Sequence, residues 1–220
     1  MPACAILGLG LMGGSLGLAV RRDLPDWTVS GYARRSETVE AAVAGGCVHR
    51  ASTDLREAVE GAELIICCVP VLRMAPLLAA CRDALKAEAL ITDVGSVKDA
   101  PGRELRRALD GANAVYVGSH PICGSERTGL EAADGQLYRG AVCVVTPRAS
   151  DPATAVEAVE AFWRLLGMRV LRMDPGRHDR LLARTSHLPH IVSSALSAAV
   201  GRDGESLEGV CGAGLRDTTR

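Results

Sequence analysis

Residues 3–17, ACAILGLGLMGGSLG, set a short apolar run directly before Gly8, Gly10 and Gly13, spaced G-x-G-x-x-G. No other feature limits the possible folds of this chain so strongly. An apolar strand that turns on three glycines straight into a helix opens a βαβ unit. Gly8 permits the tight turn, Gly10 lets backbone approach a pyrophosphate, and Gly13 lets the helix pack on the strand. The phosphates then meet free amides and the positive end of the helix dipole, with Leu9, Leu11 and Met12 completing the cradle. The competing reading is a tight turn in a fold that no longer holds a nucleotide.

The rest of the chain repeats the strand–helix alternation. WTVSGY (27–32), AELIICCVP (62–70), ALITDVGS (89–96) and ANAVYVGS (112–119) read as strands, with helical stretches at 72–85 and 97–109. The run 62–70 is continuously apolar, as expected of a strand buried on both faces. Alternation of this kind specifies a Rossmann-type, doubly wound, mostly parallel α/β sheet. A further strand at 141–147 leads to a helix with Asp151 placed to cap it, Pro152 in its first turn and Gly167 closing its end. Val156, Val159, Phe162 or Trp163, and Leu166 form the apolar face of that helix. MRVLRMD (168–174) is the last strand, and from Pro175 onward the pattern is helical only. The expected domains are a dinucleotide-binding unit over 1–175 and the beginning of a helical substrate and dimerisation unit over 176–220.

Composition narrows the function classes. A formal net charge of −1 provides no basic field for nucleic acid or a membrane surface. No stretch is apolar enough to span a bilayer, and the first residues lack the basic start and cleavage site of a leader. The eight cysteines contain no C-x-x-C pair and no finger spacing. They read as small buried hydrophobes in a reduced, cytoplasmic compartment.

The glycine loop needs an acidic residue at the end of the second strand to hold the ribose hydroxyls of NAD. Ala33 stands there, followed by Arg34 and Arg35, which suit a 2′-phosphate and favour NADP. The alternative is two solvated arginines with NAD accepted. Val69 and Pro70, closing the third apolar run, are assigned to the same cofactor site. His120, in the polar loop SHPICGSE (119–126), follows a strand and should face the carboxyl edge of the sheet. Ser96 occupies the equivalent place one unit earlier. An imidazole with a pKa near ~6.5 suits a general base that takes a hydroxyl proton while hydride leaves the same carbon. His187 and His190 lie on one side of a helix at i and i+3, with His178 nine residues before His187. Asp179 or Glu126 would be needed to complete a metal site, but no zinc-binding spacing is present, so no metal is expected. An anion pocket accounts better for these histidines, with Arg216 and Arg220 available to grip carboxylates.

Together GLGLMGGSLG (8–17), ITDVGSVK (91–98), HPICGSERTG (120–129), MDPGRHD (173–179), SHLPH (186–190) and GAGLRDTTR (212–220) resemble the prephenate/arogenate (cyclohexadienyl) dehydrogenases of tyrosine biosynthesis. One departure is Cys123, where that family more often has alanine. The resemblance implies oxidative decarboxylation of prephenate or arogenate with hydride transfer to NAD(P). It implies that His120 is the base and that Ser96 bridges it to substrate and nicotinamide. Ser119, Ser125, Glu126, His187, His190 and Arg220 would contact substrate, with Glu126 in a gating or orienting contact with His178. It also implies a homodimer built by a longer helical domain, inside whose opening part this chain would stop. Two rival readings remain open from residues alone. A β-hydroxyacid dehydrogenase shares the glycine loop but relies on a helix lysine, whereas Lys86 and Lys98 are the only lysines here. A nucleotide-sensing module would leave His120, Ser96, His190 and Arg220 without a shared purpose.

Overall fold

The computed structural model describes residues 2–124, 126–202 and 211–219. Two compact units are formed, Met1–His178 and Asp179–Arg220. The first is built on a six-stranded parallel sheet ordered β3-β2-β1-β4-β5-β6. Its strands are β1 (Ala3–Leu7), β2 (Thr28–Tyr32), β3 (Arg50–Ser52), β4 (Leu64–Cys67), β5 (Ala89–Asp93) and β6 (Ala114–Tyr116). The helices α1 (Leu11–Asp23), α2 (Ser36–Ala44), α3 (Leu55–Val59), α4 (Val71–Cys81) and α5 (Asp99–Ala108) make the crossovers. Strand order reverses between β1 and β4, so a crevice opens beyond their carboxyl ends, where such sheets bind ligands.

Alternation along each strand feeds two cores. Ile6 and Ile66 point into one with Leu16, Val20, Phe162 and Trp163. Leu7 and Ile65 point into the other with Met74, Leu78, Ile91 and Leu105. Each such buried side chain stabilises by roughly 1.5–3 kcal/mol relative to exposure.

After β6 the structure departs from the sequence reading. Residues 119–126 were expected as a polar loop, yet Gly118–Ile122 form a strand, β7, with His120 at its centre. β7 pairs antiparallel with β8 (Val142–Thr146), which pairs parallel with β9 (Arg169–Arg172), making a separate three-stranded sheet. The strands expected at 141–147 and 168–174 therefore exist but belong to this second sheet. Helix α6 (Ala153–Leu165) follows β8 and buries Val156, Val159, Phe162 and Trp163. Asp151 does not cap it: the N-cap position is Pro152. The Asp151 carboxylate is occupied by the Arg106 guanidinium at 2.7 and 2.8 Å and by the Arg148 amide at 2.8 Å.

Helix α7 (Pro175–Leu182) leads into the second unit, where a π-helical turn (Ala183–His187), α8 (Leu188–Val200) and α9 (Ala213–Thr219) follow. Leu188, Ile191 and Val192 of α8 are exposed. Among the described residues no helix is long and apolar enough to cross a membrane.

Candidate cofactor and proton-transfer site

The glycine loop has the shape its spacing requires. Gly8 adopts φ +109°, and a Cβ there would lie 2.6 Å from Val69 Cγ1 and 2.7 Å from the Cys68 carbonyl. A Cβ on Gly13 would sit 1.9 Å from the Gly8 carbonyl oxygen, so helix and loop touch backbone to backbone. A Cβ on Gly10 would meet nothing within 4 Å. Its space is open toward the crevice, which is the room a pyrophosphate needs. Helix α1 starts from Gly10 without a side-chain cap and has no acid in its first turn, so its leading amides are free to bind an anion. Leu11 and Met12 lie in that turn, held where the Tyr138 hydroxyl donates to the Met12 carbonyl at 2.8 Å.

A cavity of about 600 Å³ extends from this loop. Gly8, Leu9, Gly10, Val69 and Pro70 form its inner part, and Ala33, Arg34 and Arg35 its outer part. The sequence reading thus placed all of these on one cavity. It missed Tyr32, Thr38, Arg73 and Leu77, which line the same space. No aspartate or glutamate is among the lining residues. The pocket, opening from the glycine loop, fits a dinucleotide.

His120 projects from β7 and is only 9% exposed. Its Nδ1 lies 2.9 Å from Nε2 of His178, the two rings meeting edge to face with centroids 5.1 Å apart. His178, expected from the sequence as a partner for Glu126, is the residue that bonds His120, and it is completely buried. Two imidazoles can share one hydrogen bond only if one nitrogen donates and the other accepts. With His120 Nδ1 as donor, its Nε2 keeps a lone pair and can act as a base.

The support beneath His120 comes from a buried polar cluster. Lys98 forms an ion pair with Asp93 Oδ2, both side chains being 1% exposed, and donates to the Ser119 carbonyl at 2.7 Å. The Asp93 carboxylate also accepts from the Tyr116 hydroxyl at 2.8 Å, the Gly95 amide at 2.9 Å and the Ser119 amide at 3.3 Å. Burial, then the adjacent Asp93 charge, pushes the Tyr116 hydroxyl well above its ordinary pKa, so it stays a neutral donor. This cluster ties the segment after β5, which carries Ser96, to the strand that carries His120. Its signal in the sequence was the pairing of Asp93 with Lys98 in TDVGSVK, five residues apart across a turn.

Ser119 must be reassigned. Rather than meeting substrate, it is fully buried. Its hydroxyl donates to the Asp93 carbonyl at 2.7 Å, lies 2.7 Å from the Thr92 hydroxyl and accepts from the Trp163 indole at 3.0 Å. Ser96 and Glu126 are exposed in the same unit. Ser125 and Arg220 lie outside the described residues.

In the second unit His187 and His190 line one cavity of about 720 Å³ together with Thr185, Ser186, Asp217 and Thr218. Asp217 and Thr218 were not singled out from the sequence. Arg216 is exposed, with a long contact to the Cys211 carbonyl at 3.4 Å. All eight cysteines are free thiols. Among the described residues no group of three or more His, Cys, Asp or Glu side chains is arranged to hold a metal ion.

Comparison with known proteins agrees with this geometry. Residues 16–172 match the family described as "Prephenate dehydrogenase, nucleotide-binding domain", and residues 174–220 its "dimerization domain". The cyclohexadienyl dehydrogenase of Zymomonas mobilis is 37% identical over 196 residues, covering 89% of this chain and 66% of that protein. The prephenate dehydrogenase of Aquifex aeolicus, solved in complex with hydroxyphenyl propionate and NAD+, superposes with a TM-score of 0.89 at 28% identity, over 100% of this chain and 77% of that one. The arogenate dehydrogenase of Synechocystis superposes with a TM-score of 0.84 at 30% identity, over 99% and 78%. The chain spans between about half and two thirds of the length of the curated relatives it matches. The nucleotide-binding and dimerization models together take in nearly all of residues 16–220, and the chain belongs to the prephenate dehydrogenase family.

Proposed function

We propose that this protein carries out the oxidative decarboxylation of prephenate or arogenate in tyrosine biosynthesis, with NADP preferred over NAD. The observation that carries the reading is the His120–His178 hydrogen bond at 2.9 Å. With Nδ1 of His120 as the donor in that bond, Nε2 would be the nitrogen that takes the proton. In the reaction the substrate ring hydroxyl gives its proton to His120 Nε2, and the O–H electrons form a carbonyl as hydride departs from that carbon. The bond to the para carboxylate breaks, carbon dioxide leaves, and the released electron pair completes an aromatic ring as the carbonyl becomes a phenolate oxygen, which takes a proton back. Bound nicotinamide supplies the hydride acceptor. Positioned general bases contribute typically ~10²–10⁴-fold, and aromatisation provides the driving force.

Ser96 would hold the substrate hydroxyl near both His120 and the cofactor, with Glu126 an orienting contact. His187, His190 and Arg220 would bind substrate carboxylates. The NADP preference rests on Ala33, Arg34 and Arg35 in a pocket without a lining carboxylate. The helical unit, carrying exposed Leu188, Ile191 and Val192, would form a homodimer, and the enzyme would work in the cytoplasm.

Absorbance of reduced nicotinamide tests the proposal, with prephenate or arogenate paired with NAD or NADP. Turnover in one pairing, abolished about 10²–10⁴-fold in His120→Asn with cofactor affinity retained, is the expected result. Unchanged turnover in His120→Asn removes it as the base. Ala33→Asp should move preference toward NAD; if it does not, Arg34 and Arg35 are not reading the phosphate.

A further inference from the structure

The cofactor cavity carries a residue that no motif points to. Arg73 lies in the first turn of α4, far in sequence from Arg34, yet both line the same space. We infer that Arg73 and Arg34 form a clamp for the 2′-phosphate of the cofactor from opposite walls of its adenosine pocket, making Arg73 a specificity-determining residue. This rests on the NADP reading above and extends it to a second structural element.

Three observations support the clamp. The first is charge. Arg34, Arg35 and Arg73 are all exposed on one cavity that no carboxylate lines. Among the described residues none of the three guanidiniums makes a side-chain hydrogen bond or ion pair, whereas Arg106, Arg148, Arg164 and Arg172 all pair with acids. Like charges gathered without a partner repel, and an anion between them removes that cost. The pyrophosphate does not serve, because it belongs at the glycine loop and the start of α1. The other anion that a dinucleotide can bring to the β2 end is a phosphate on the ribose 2′ oxygen.

The second observation separates Arg34 and Arg73 from Arg35. Arg35 also lines a neighbouring hollow with Glu37 and Glu131, so it has carboxylates within its surroundings. Arg34 and Arg73 line the first cavity and take no part in that hollow. The third is placement. Leu77, one turn beyond Arg73 on the same face of α4, gives the adenine an apolar wall with Val69 and Pro70. The Arg73 guanidinium then sits beside the ribose rather than under the base. Helix α4 has no acid in its first turn, and its dipole adds to the positive field.

The test is titration calorimetry of the full chain with two probes that need no turnover, adenosine 2′,5′-bisphosphate and ADP. The parent should bind the bisphosphate at least tenfold more tightly. Arg73→Met should lose about tenfold for the bisphosphate, the scale of one charge-assisted contact, and stay within about twofold for ADP. Arg73→Lys should recover part of the loss. Arg73 is exposed and its side chain pairs with no other among the described residues, so the variant should melt with the parent. If the parent prefers the bisphosphate and Arg73→Met keeps that ratio, the clamp is overturned while the NADP reading stands. Equal weakening of both probes overturns it too, since Arg73 would then contact only the adenine. A parent that binds both probes alike overturns the NADP reading and the clamp with it.

Discussion

Lys98→Met tests how the strand that carries His120 is held. Methionine preserves the length of the side chain and removes its charge. Asp93 would stay buried with its ammonium partner gone, and the Ser119 carbonyl would lose its 2.7 Å donor. Removing one member of a buried ion pair costs about 3–5 kcal/mol, because the remaining charge has no compensation. Here the Tyr116 hydroxyl and the Gly95 and Ser119 amides still face the carboxylate, which puts the cost near the lower end, about 3 kcal/mol. For a chain of this size each kcal/mol moves the melting temperature by roughly 2–4 °C, so a fall of about 6–12 °C is expected. The double variant Asp93→Asn/Lys98→Met removes both charges at once. It should be destabilised by clearly less than the sum of the two single changes, with a coupling of about 1.5 kcal/mol or more in urea denaturation. A loss below about 1 kcal/mol in Lys98→Met, or strict additivity in the double variant, would refute the argument that this pair is a coupled buried unit.

Four further outcomes follow from the same contacts. Gly13→Ala should weaken ADP binding more than tenfold in calorimetry, because its Cβ would lie 1.9 Å from the Gly8 carbonyl and the loop must move to admit it. His178→Phe should lower kcat with little change in KM and shift the acidic limb of the pH–rate profile, since the partner that fixes the His120 tautomer is gone; His178→Gln, which can still accept, should restore part of kcat. The Arg172 hydrogen bond, with Arg164 beside it, holds the Glu160 carboxyl below its usual range, so its stabilisation is present above the unfolded pKa and fades as pH drops through the folded value. Acid denaturation below about pH 4.5 should therefore flatten in Glu160→Gln. Burial pushes the Cys4 thiol up to about 12 and the Cys81 thiol to about 11, so their stabilisation is intact below pH 9 and lost as pH rises through those values; melting temperatures followed from pH 8 to 11.5 should fall, and less so in Cys81→Ala relative to its own neutral-pH value.

What could be read from the sequence was local. The glycine loop, the apolar run before it and the continuous run at 62–70 are signals carried within a few residues, and each became the expected element. The β7 strand was hidden because Pro121 looks like a strand breaker. In the structure β7 is an edge strand of its sheet, where a residue lacking an amide hydrogen is tolerated. Its pairing with β8 is antiparallel across some twenty residues of intervening chain, which no local period reports. Asp151 reads from the sequence as a cap for α6, but the helix starts one residue later, with Pro152 at the N-cap, and the Arg106 guanidinium takes the Asp151 oxygens. Arg73 escaped notice for a different reason: it comes to line one cavity with Arg34 only once β4 and α4 have crossed to the other side of β1.

The placement of His120 depends on the residue before it. Along a strand successive side chains point to opposite faces, so fixing Ser119 fixes His120. Ser119 is anchored from three directions: Thr92 and Asp93 of β5, Trp163 of α6, and Lys98 through its backbone carbonyl. Those partners belong to the six-stranded sheet, to the residue that leads into α5 and to helix α6. A register slip of one residue in β7 would turn His120 into the core and Ser119 out of it, losing every one of these bonds at once. The same buried serine that the sequence offered as a substrate contact is thus what keeps the histidine facing His178. It explains why a short polar stretch, unremarkable in composition, can hold an imidazole against a buried partner.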